Sequence, residues 1–225
     1  MLKAAIEFGR NKLGTPILIG TEKRIKEQLR NIGLDENYKI QIVNSTDKIK
    51  RDKYVKHLYK KLQREGQLER DVDRLVRNER IAWGASMIAC KDADAMVTGN
   101  IRHYAASIEK LKKVTDPRPG EEIFGMTMIT LKGKTVLVAD TNVQDFPSPD
   151  RLVKVSKSCV RVARLFGFDP KVAFLSHSTF GKPISKNTKH VRDAIELLRK
   201  DNVDFDFDGE MQPDVALNPI YQEIY

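Results

Sequence analysis

Four short polar segments, each placed where a predicted β-strand ends, carry the residues of this chain that are suited to chemistry. The longest segment follows the apolar run 172–175 and contains Ser176, Ser178, Thr179, Gly181 and Lys182. Hydroxyls, backbone N–H groups and a lysine in such a loop are donors that can hold a phosphate or an acyl oxygen. An ordinary strand-to-helix turn has the same composition, so this segment alone leaves both interpretations open.

The other three polar segments are shorter. They contain Thr98, Gly99 and Asn100, then Asp140, and then Asp208, Gly209 and Glu210. Ligands of open α/β sheets bind beyond the carboxyl ends of the strands, so the four segments are predicted to line one cleft between two subdomains. Glycine at positions 99, 181 and 209 would let the backbone approach a ligand closely.

The carboxylates in these segments have competing interpretations. Asp208 and Glu210 are two residues apart and would face the same side of an extended chain. Paired in this way they could serve acid–base chemistry or hold a metal, but they could equally cap a helix predicted at 212–217. Asp92 and Asp94 are interpreted as solvated turn carboxylates.

Several established motifs are missing from the sequence. There is no GxGxxG, no P-loop lysine and no HExxH, which argues against a self-contained nucleotide site or a zinc protease. His177 lies between Ser176 and Ser178 and would face away from both on an extended chain, which argues against a nucleophilic serine. We therefore predict no metal and no cofactor in this chain.

Predicted helices and strands alternate along the chain, and these elements must position the polar segments. Hydrophobic periodicity and glycine stops predict helices and strands. The helices are expected at 2–13, 22–31, 48–64, 68–77, 81–90, 104–113, 149–166 and 189–200, and the strands at 16–20, 40–43, 95–99, 172–176 and 203–207. A β-hairpin is predicted from 124–131 and 135–139 around a three-residue turn. The alternation predicts an α/β fold with mostly parallel sheets. The Pro- and Gly-rich segment 116–120 predicts a boundary between subdomains 1–117 and 118–225.

The amino-acid composition limits the classes of protein to which the chain can belong. The chain has 225 residues, 40% of them hydrophobic, which is enough for a sizeable core. Its two cysteines form no CxxC or Cys/His cluster and are predicted to be reduced, as in a cytoplasmic protein. No apolar run approaches the roughly 20 residues of a membrane span, and the amino terminus lacks a signal peptide's apolar stretch.

The charge is uneven, because the whole net excess of +9 lies in residues 1–64. A basic segment of this kind could bind RNA, membrane headgroups or an anionic small molecule. Its lysines fall mostly on helical faces without interleaved aromatic residues, which favours a solvated surface. We therefore predict neither nucleic acid nor membrane as a partner.

Four segments, in order, resemble motifs of the phosphate acetyltransferases and phosphate butyryltransferases. They are residues 91–99, 138–141, 170–181 and 208–217. The resemblance covers essentially the whole chain. It implies two αβα subdomains of the isocitrate/isopropylmalate dehydrogenase type, with acyl-CoA and phosphate bound between them by the four polar segments.

Within that family the chain is most similar to the carboxyl-terminal domain of hybrid bacterial NADP-dependent malic enzymes. Residues 208–211, 215–219 and 102–104 carry this similarity. It implies a domain that binds acetyl-CoA or another acyl-CoA and helps to assemble a homo-oligomer. Malate conversion to pyruvate and CO2, with its NADP and divalent metal, would belong to a domain outside this chain.

Two positions depart from the acetyltransferase pattern. Leu62 and Glu109 stand where that family has arginines thought to bind phosphate or CoA, and a carboxylate opposes anion binding. The family's serine–arginine element is expected beyond Tyr225 and its first strand before Met1, so that the fold would be truncated at both ends. A regulatory acyl-CoA-binding domain is the favoured function. The alternative is a phosphate acetyltransferase that uses Ser176, Ser178, Thr179 and Lys182 as phosphate ligands.

Overall fold

The computed structural model describes residues 1–34, 40–99, 103–131, 133–141, 143–182 and 188–225. The chain divides into two compact units, Met1–Asp116 and Pro117–Tyr225. The boundary falls within the Pro- and Gly-rich segment 116–120, whose composition disfavours a continuing helix or strand.

The first unit combines helices with a two-stranded parallel sheet. Its elements are α1 (Leu2–Arg10), β1 (Ile17–Ile19), α2 (Glu22–Asn31), β2 (Gln41–Val43), α3 (Lys48–Leu62), α4 (Glu69–Asn78), α5 (Arg80–Ala89) and α6 (Tyr104–Val114). Strand β1 pairs with β2 from Ile17 opposite Gln41 to Ile19 opposite Val43. Helix α2 connects the two strands, as a parallel pair requires.

The core of the first unit forms around α5. The prediction of a buried helix here is confirmed, because seven consecutive residues of α5, from Ile81 to Met87, are buried. Trp83 packs edge-to-face on Tyr54 of α3, with 5.0 Å between ring centroids. Leu62, at the end of α3, belongs to the same core and is only 2% exposed. Position 62 therefore holds a side chain that packs in the hydrophobic core.

The strand predicted at 95–99 is wrong. These residues form no regular element in the described structure, and the Val97 side chain is 85% exposed. The apolar sequence therefore does not mark a buried strand. Only Met96 packs against the core of the first unit.

The second unit contains an antiparallel hairpin and a parallel pair of strands. Its elements are β3 (Met126–Leu131), β4 (Lys134–Ala139), α7 (Pro149–Leu165), β5 (Val172–Leu175), α8 (Lys189–Lys200), β6 (Phe207–Met211), α9 (Pro213–Leu217) and α10 (Pro219–Gln222). The hairpin is confirmed, but its pairing extends to Leu131 opposite Lys134, so its turn is shorter than the predicted three residues. Strands β5 and β6 are parallel, and α8 lies between them in the chain.

Helices α7 and α8 supply most of the second core. Helix α7 begins where Ser148 accepts a hydrogen bond from Arg151 N at 3.3 Å, with proline at the first helical position, a favoured arrangement for a helix start. Buried residues recur along α8 at helical spacing, at Val191, Ala194, Ile195 and Leu198. These side chains cluster with Val153 of α7 and Phe174 of β5.

The last predicted strand was placed too early. Residues 203–206 form bends and coil, and β6 begins at Phe207. Val203 and Phe205, together with Phe207 of β6, are nevertheless partly buried against the core of the second unit, so the alternating pattern begins before strand pairing does. In consequence Asp208, Gly209 and Glu210 lie inside a strand, whereas the prediction placed them after one.

The described chain is thus mixed α/β with short parallel sheets, which confirms the predicted fold class at that level. The finer description as two dehydrogenase-like αβα subdomains stays a prediction. None of the helices in the described ranges has both the length and the apolar composition needed to cross a bilayer.

Candidate functional site

The loop after β5 is closed by a tight turn at residues 179–182. Thr179 and Lys182 exchange two backbone hydrogen bonds of 3.1 and 3.0 Å. Phe180 and Gly181 lie between them with φ values of 46° and 84°. A two-residue turn with two positive φ values matches the type that glycine favours at little steric cost.

The same loop is attached to the end of β6 and the start of α9. Ser176 N donates to the Met211 carbonyl oxygen at 2.9 Å. Gln212 N donates to Thr179 Oγ1 at 3.2 Å, and the Gln212 side-chain amide donates to the His177 carbonyl oxygen at 2.8 Å. The position of the loop therefore depends on β6 as much as on β5.

A β-bulge places Glu210 beneath this loop. Gly209 lies opposite Phe174 in the β5–β6 pair. The next pair joins Met211 to Leu175, so Glu210 is the extra residue on β6. A bulge breaks the alternation of side chains along a strand and redirects the extra residue. Glu210 is consequently 0% exposed, although it follows an exposed aspartate by two positions.

Three donors converge on one oxygen of the Glu210 side chain. Glu210 Oε1 accepts from Ser178 Oγ at 2.8 Å, from Gly181 N at 3.0 Å and from Arg192 Nη1 at 2.9 Å. The backbone carbonyl of Glu210 also accepts from Phe180 N, at 2.8 Å. One residue thus holds the loop through both its side chain and its main chain.

The charge of Glu210 is balanced by Arg192 of α8. The Arg192 side chain is 37% exposed, and its Nη1 also donates to Thr188 Oγ1 at 3.3 Å. A buried carboxylate is tolerated when it is paired and hydrogen-bonded. The second oxygen, Oε2, is buried and receives no hydrogen bond from any residue that the structure describes.

Asp208 and Glu210 do not act as a pair in the described structure, whereas the predicted contact of Asp208 with a ligand stays a prediction. The carboxylate of Asp208 is exposed and accepts from Gly209 N at 2.8 Å, whereas Glu210 is buried, so the two carboxylates do not face the same side. Neither residue caps α9, because the N-cap is Gln212 and has no side-chain cap hydrogen bond. Asp208 instead lines an open pocket of about 420 Å³ on the β5–β6 pair, together with Phe180 and Tyr225.

Asp140 belongs to a different polar group in the second unit. Its Oδ1 accepts from Gly125 N at 2.7 Å, and its Oδ2 pairs with Arg151 Nη2 at 3.2 Å. Arg151 also pairs with Glu122 at 2.6 Å and donates to the Ile123 carbonyl oxygen at 2.5 Å. This group ties the end of the hairpin to α7 and shares no residue with the Glu210 group.

Thr98 and Gly99 lie in the first unit. Both are exposed and line a pocket of about 480 Å³ with residues of β1 and with Arg24 and Arg80. Asn100, predicted beside them, lies outside the described residues. Because the two units are separate compact bodies, the cleft predicted between them stays a prediction.

Asp92 is not a simple solvated turn residue. Its carboxylate accepts from Lys53 Nζ at 2.6 Å and from the buried Tyr54 hydroxyl at 2.8 Å. The hydrogen bonds from Lys53 and then Tyr54 hold the pKa of Asp92 below its ordinary value. Asp94, by contrast, is exposed, as predicted. No group of three or more His, Cys, Asp or Glu side chains among the described residues could hold a metal ion.

The structure thus gathers some of the predicted residues and separates others. One group contains Ser176, Ser178, Thr179, Gly181 and Glu210, with Lys182 exposed at the end of the turn and Gly209 in the adjoining strand. Asp208 and Asp140 lie outside it, whereas Thr98 and Gly99 belong to the first unit. Sequence reasoning missed Arg192 and Arg151. Neither arginine stands out in the sequence, because each lies in a helix that carries several other charged residues.

Comparison with known proteins gives a consistent result. The sequence profile of the family described as phosphate acetyl/butaryl transferase matches residues 1–223. A crystal structure of a phosphotransacetylase from Streptococcus pyogenes superimposes with a TM-score of 0.84 at 25% identity, covering 99% of this chain and 68% of that one.

Two curated relatives represent two kinds of protein. An NADP-dependent malic enzyme of Rhizobium meliloti is 40% identical over 226 residues, covering 100% of this chain and 30% of that protein. A phosphate acetyltransferase of Nitratidesulfovibrio vulgaris is 27% identical over 219 residues, covering 97% of this chain and 31% of that protein. The chain therefore spans less than a third of the length of either relative. Fold, motifs and profile agree that this chain belongs to the phosphate acetyl/butaryl transferase family.

Proposed function

We propose that the chain is a phosphate-acetyltransferase-like domain that binds acetyl-CoA or another acyl-CoA as the regulatory part of an NADP-dependent malic enzyme. The observation that carries this proposal is the 40% identity to a malic enzyme over the whole chain. Catalysis on malate, with NADP and a divalent metal, would take place in a domain outside this chain.

Two positions support a regulatory role over a catalytic one. Leu62, in place of an arginine, is a buried core residue and has no charge to offer a phosphate. Glu109, in place of a second arginine, is exposed on α6 and pairs with Lys113 at 2.9 Å. The hydrogen bond from Lys113 lowers the pKa of Glu109, so this side chain carries a negative charge at neutral pH. A carboxylate repels a phosphate that an arginine would bind.

The 176–182 loop is the part of the second unit best suited to a thioester or a phosphate. Ser176 is half-buried and Lys182 is exposed, so both retain access to a ligand. A hydroxyl and an ammonium group are the usual partners of acyl and phosphate oxygens.

Isothermal titration calorimetry with acetyl-CoA tests the binding proposal. We expect saturable binding to the 225-residue chain and an affinity about 3–10-fold lower in Lys182→Ala, because one charge-assisted contact is lost. Lys171→Ala is the matched control, since Lys171 is an exposed lysine at the other end of β5 that pairs with Asp206 at 3.2 Å. An unchanged affinity in Lys182→Ala would remove this end of the loop from the site.

The alternative function is a phosphate acetyltransferase, which the 27% identity to the Nitratidesulfovibrio vulgaris enzyme favours. The CoA thiolate would attack the carbonyl carbon of acetyl phosphate, the S–C bond would form and phosphate would leave with the C–O electron pair. The chain would contribute positioning and charge stabilisation. An assay of acetyl phosphate formation from acetyl-CoA and phosphate separates the two functions, because ready turnover contradicts the regulatory proposal.

We also propose that the domain assembles as a homo-oligomer in the cytoplasm. Met128, Ile129 and Leu131 of β3 are 43–67% exposed, and apolar side chains of this kind are common at subunit contacts. Light scattering coupled to size-exclusion chromatography measures the mass directly. A monomer at all concentrations would contradict this part of the proposal.

A further inference from the structure

We propose that Glu210 is a built-in anion that occupies the donor groups of the 176–182 loop. Glu210 is then a positioning residue, and the Ser178 hydroxyl and the Gly181 N–H are committed to it and do not bind the phosphate of a ligand. The inference deepens the proposed function and rests on it only for the nature of the ligand.

The geometry of the donors carries the inference. A hydroxyl, a backbone N–H and a guanidinium all reach Glu210 Oε1 within 2.8–3.0 Å. Hydroxyls, loop N–H groups and arginine side chains that converge in this way are what proteins present to a phosphate or a carboxylate. Here the chain supplies the anion itself, at a position that is 0% exposed.

The electrostatics exclude a second anion on the same donors. A phosphate placed against Ser178 and Gly181 would lie beside the Glu210 carboxylate, and two negative charges in contact repel strongly in a buried setting. Glu210 instead neutralises Arg192, which leaves the exposed Lys182 ammonium and the half-buried Ser176 hydroxyl for a ligand. Ser176 Oγ also accepts from Ser178 N at 3.3 Å. The bulge in β6 is the feature that brings the carboxylate to these donors.

Chemical rescue of Glu210→Ala tests the proposal without acyl-CoA. The substitution removes the same non-hydrogen atoms that acetate contains, so acetate can refill the vacated position. We expect sodium acetate to raise the melting temperature of Glu210→Ala saturably by at least about 2 °C over sodium chloride at equal ionic strength. The wild-type chain and Asp208→Ala, which lacks the exposed carboxylate two residues away, should not respond.

Acetamide distinguishes rescue by negative charge from rescue by filling of the cavity. It has nearly the shape of acetate but no charge, so we expect it to leave the melting temperature of Glu210→Ala unchanged. Equal rescue by acetamide, or no difference between acetate and chloride in a folded Glu210→Ala chain, would overturn the proposal. A different result would count against the proposed function alone. In that case acetate would rescue Glu210→Ala, but the wild-type chain would not bind acetyl-CoA.

A second comparison decides the matter if Glu210→Ala does not fold. Arg192→Gln leaves the Glu210 carboxylate buried without its cation, whereas Arg192→Gln combined with Glu210→Gln removes that unpaired charge. We expect the double variant to melt at a higher temperature than Arg192→Gln. A double variant that melts lower than Arg192→Gln would show that the carboxylate charge is not what Arg192 balances, and would overturn the proposal.

Discussion

At the scale of single residues, Gly209 is the position where β6 depends most on the absence of a side chain. Its φ is +144°, and a Cβ atom there would lie 2.7 Å from the Phe174 carbonyl oxygen and 2.9 Å from the Phe174 Cβ. Both distances are shorter than carbon atoms in folded proteins tolerate, and Phe174 cannot retreat because it is part of the second core. The glycine therefore permits the close pairing that sets up the bulge at Glu210.

We predict that Gly209→Ala lowers the free energy of unfolding by about 2–4 kcal/mol, because backbone strain adds to a steric clash. Urea denaturation followed by circular dichroism measures the loss. Gly33→Ala is the matched control, since Gly33 also has a positive φ, of +68°, but nothing within 4 Å of the added atom. Equal losses in the two variants would show that the contact with Phe174 costs nothing.

Cys159 is a second residue whose environment can be tested, through the reactivity of its thiol. Burial, and then the negative charge of Asp140, raise the pKa of Cys159 to about 11. Near pH 8 about one thiol in a thousand would be ionised, and only the thiolate reacts with alkylating reagents. We predict that iodoacetamide labels Cys159 about 100-fold more slowly in the native chain than in urea.

Mass spectrometry of a Cys90→Ser variant follows Cys159 alone. The pKa of Cys90 is also raised by burial, so this second thiol is removed to keep its slow reaction out of the measurement. Labelling of native Cys159 as fast as in urea would contradict the predicted pKa.

At the scale of elements, Asp92 connects the end of α5 to α3. Its carboxylate accepts from Tyr54 and Lys53, neighbours on α3. Since the Asp92 pKa is lower in the folded chain, its contribution to stability is complete at neutral pH. That contribution is lost as the pH falls below the ordinary value of 3.8 and through the lowered one.

We predict that Asp92→Asn costs about 1–2 kcal/mol of stability at neutral pH, because one buried hydrogen bond and one exposed ion pair weaken. The difference in stability between Asp92→Asn and the wild-type chain should shrink once the pH falls below the lowered pKa of Asp92. Urea denaturation over a pH series measures both effects. Asp94 is an exposed aspartate two residues away, so Asp94→Asn should show the same dependence of stability on pH as the wild-type chain. A loss of stability in Asp92→Asn that does not change with pH would contradict the ion pair.

The elements also show what a sequence can predict. The predicted bounds of helices α2 and α8 are correct to the residue, because their apolar positions repeat at helical spacing and a turn follows each helix. The strand at 203–207 was misplaced, because alternating burial does not require pairing. In the sequence, Gly209 is the one local sign of the bulge that buries Glu210, and glycine is equally common in loops. Its partner Arg192 lies 18 residues away. Local pattern thus predicts elements well, whereas a site that depends on one irregular residue needs the tertiary structure.

At the scale of the whole molecule, each unit has its own hydrophobic core. Two clusters, centred on Trp83 and on Leu29, consist of residues of the first unit. A third cluster, centred on Leu198, consists of residues of the second unit. A segment with a core of its own and more than about 50 residues can in principle fold alone.

We predict that the fragments 1–116 and 117–225 each unfold cooperatively. Substitutions should act only in the fragment that contains them, because the residues they affect have their partners within one unit. Gly209→Ala should therefore destabilise 117–225 by the same amount as the full chain, within about 0.5 kcal/mol, and Asp92→Asn should act on 1–116 alone. Urea denaturation of both fragments measures these values. A fragment without a cooperative transition, or a loss for Gly209→Ala that differs clearly between fragment and full chain, would mean that the units stabilise one another and that neither is an independent folding unit.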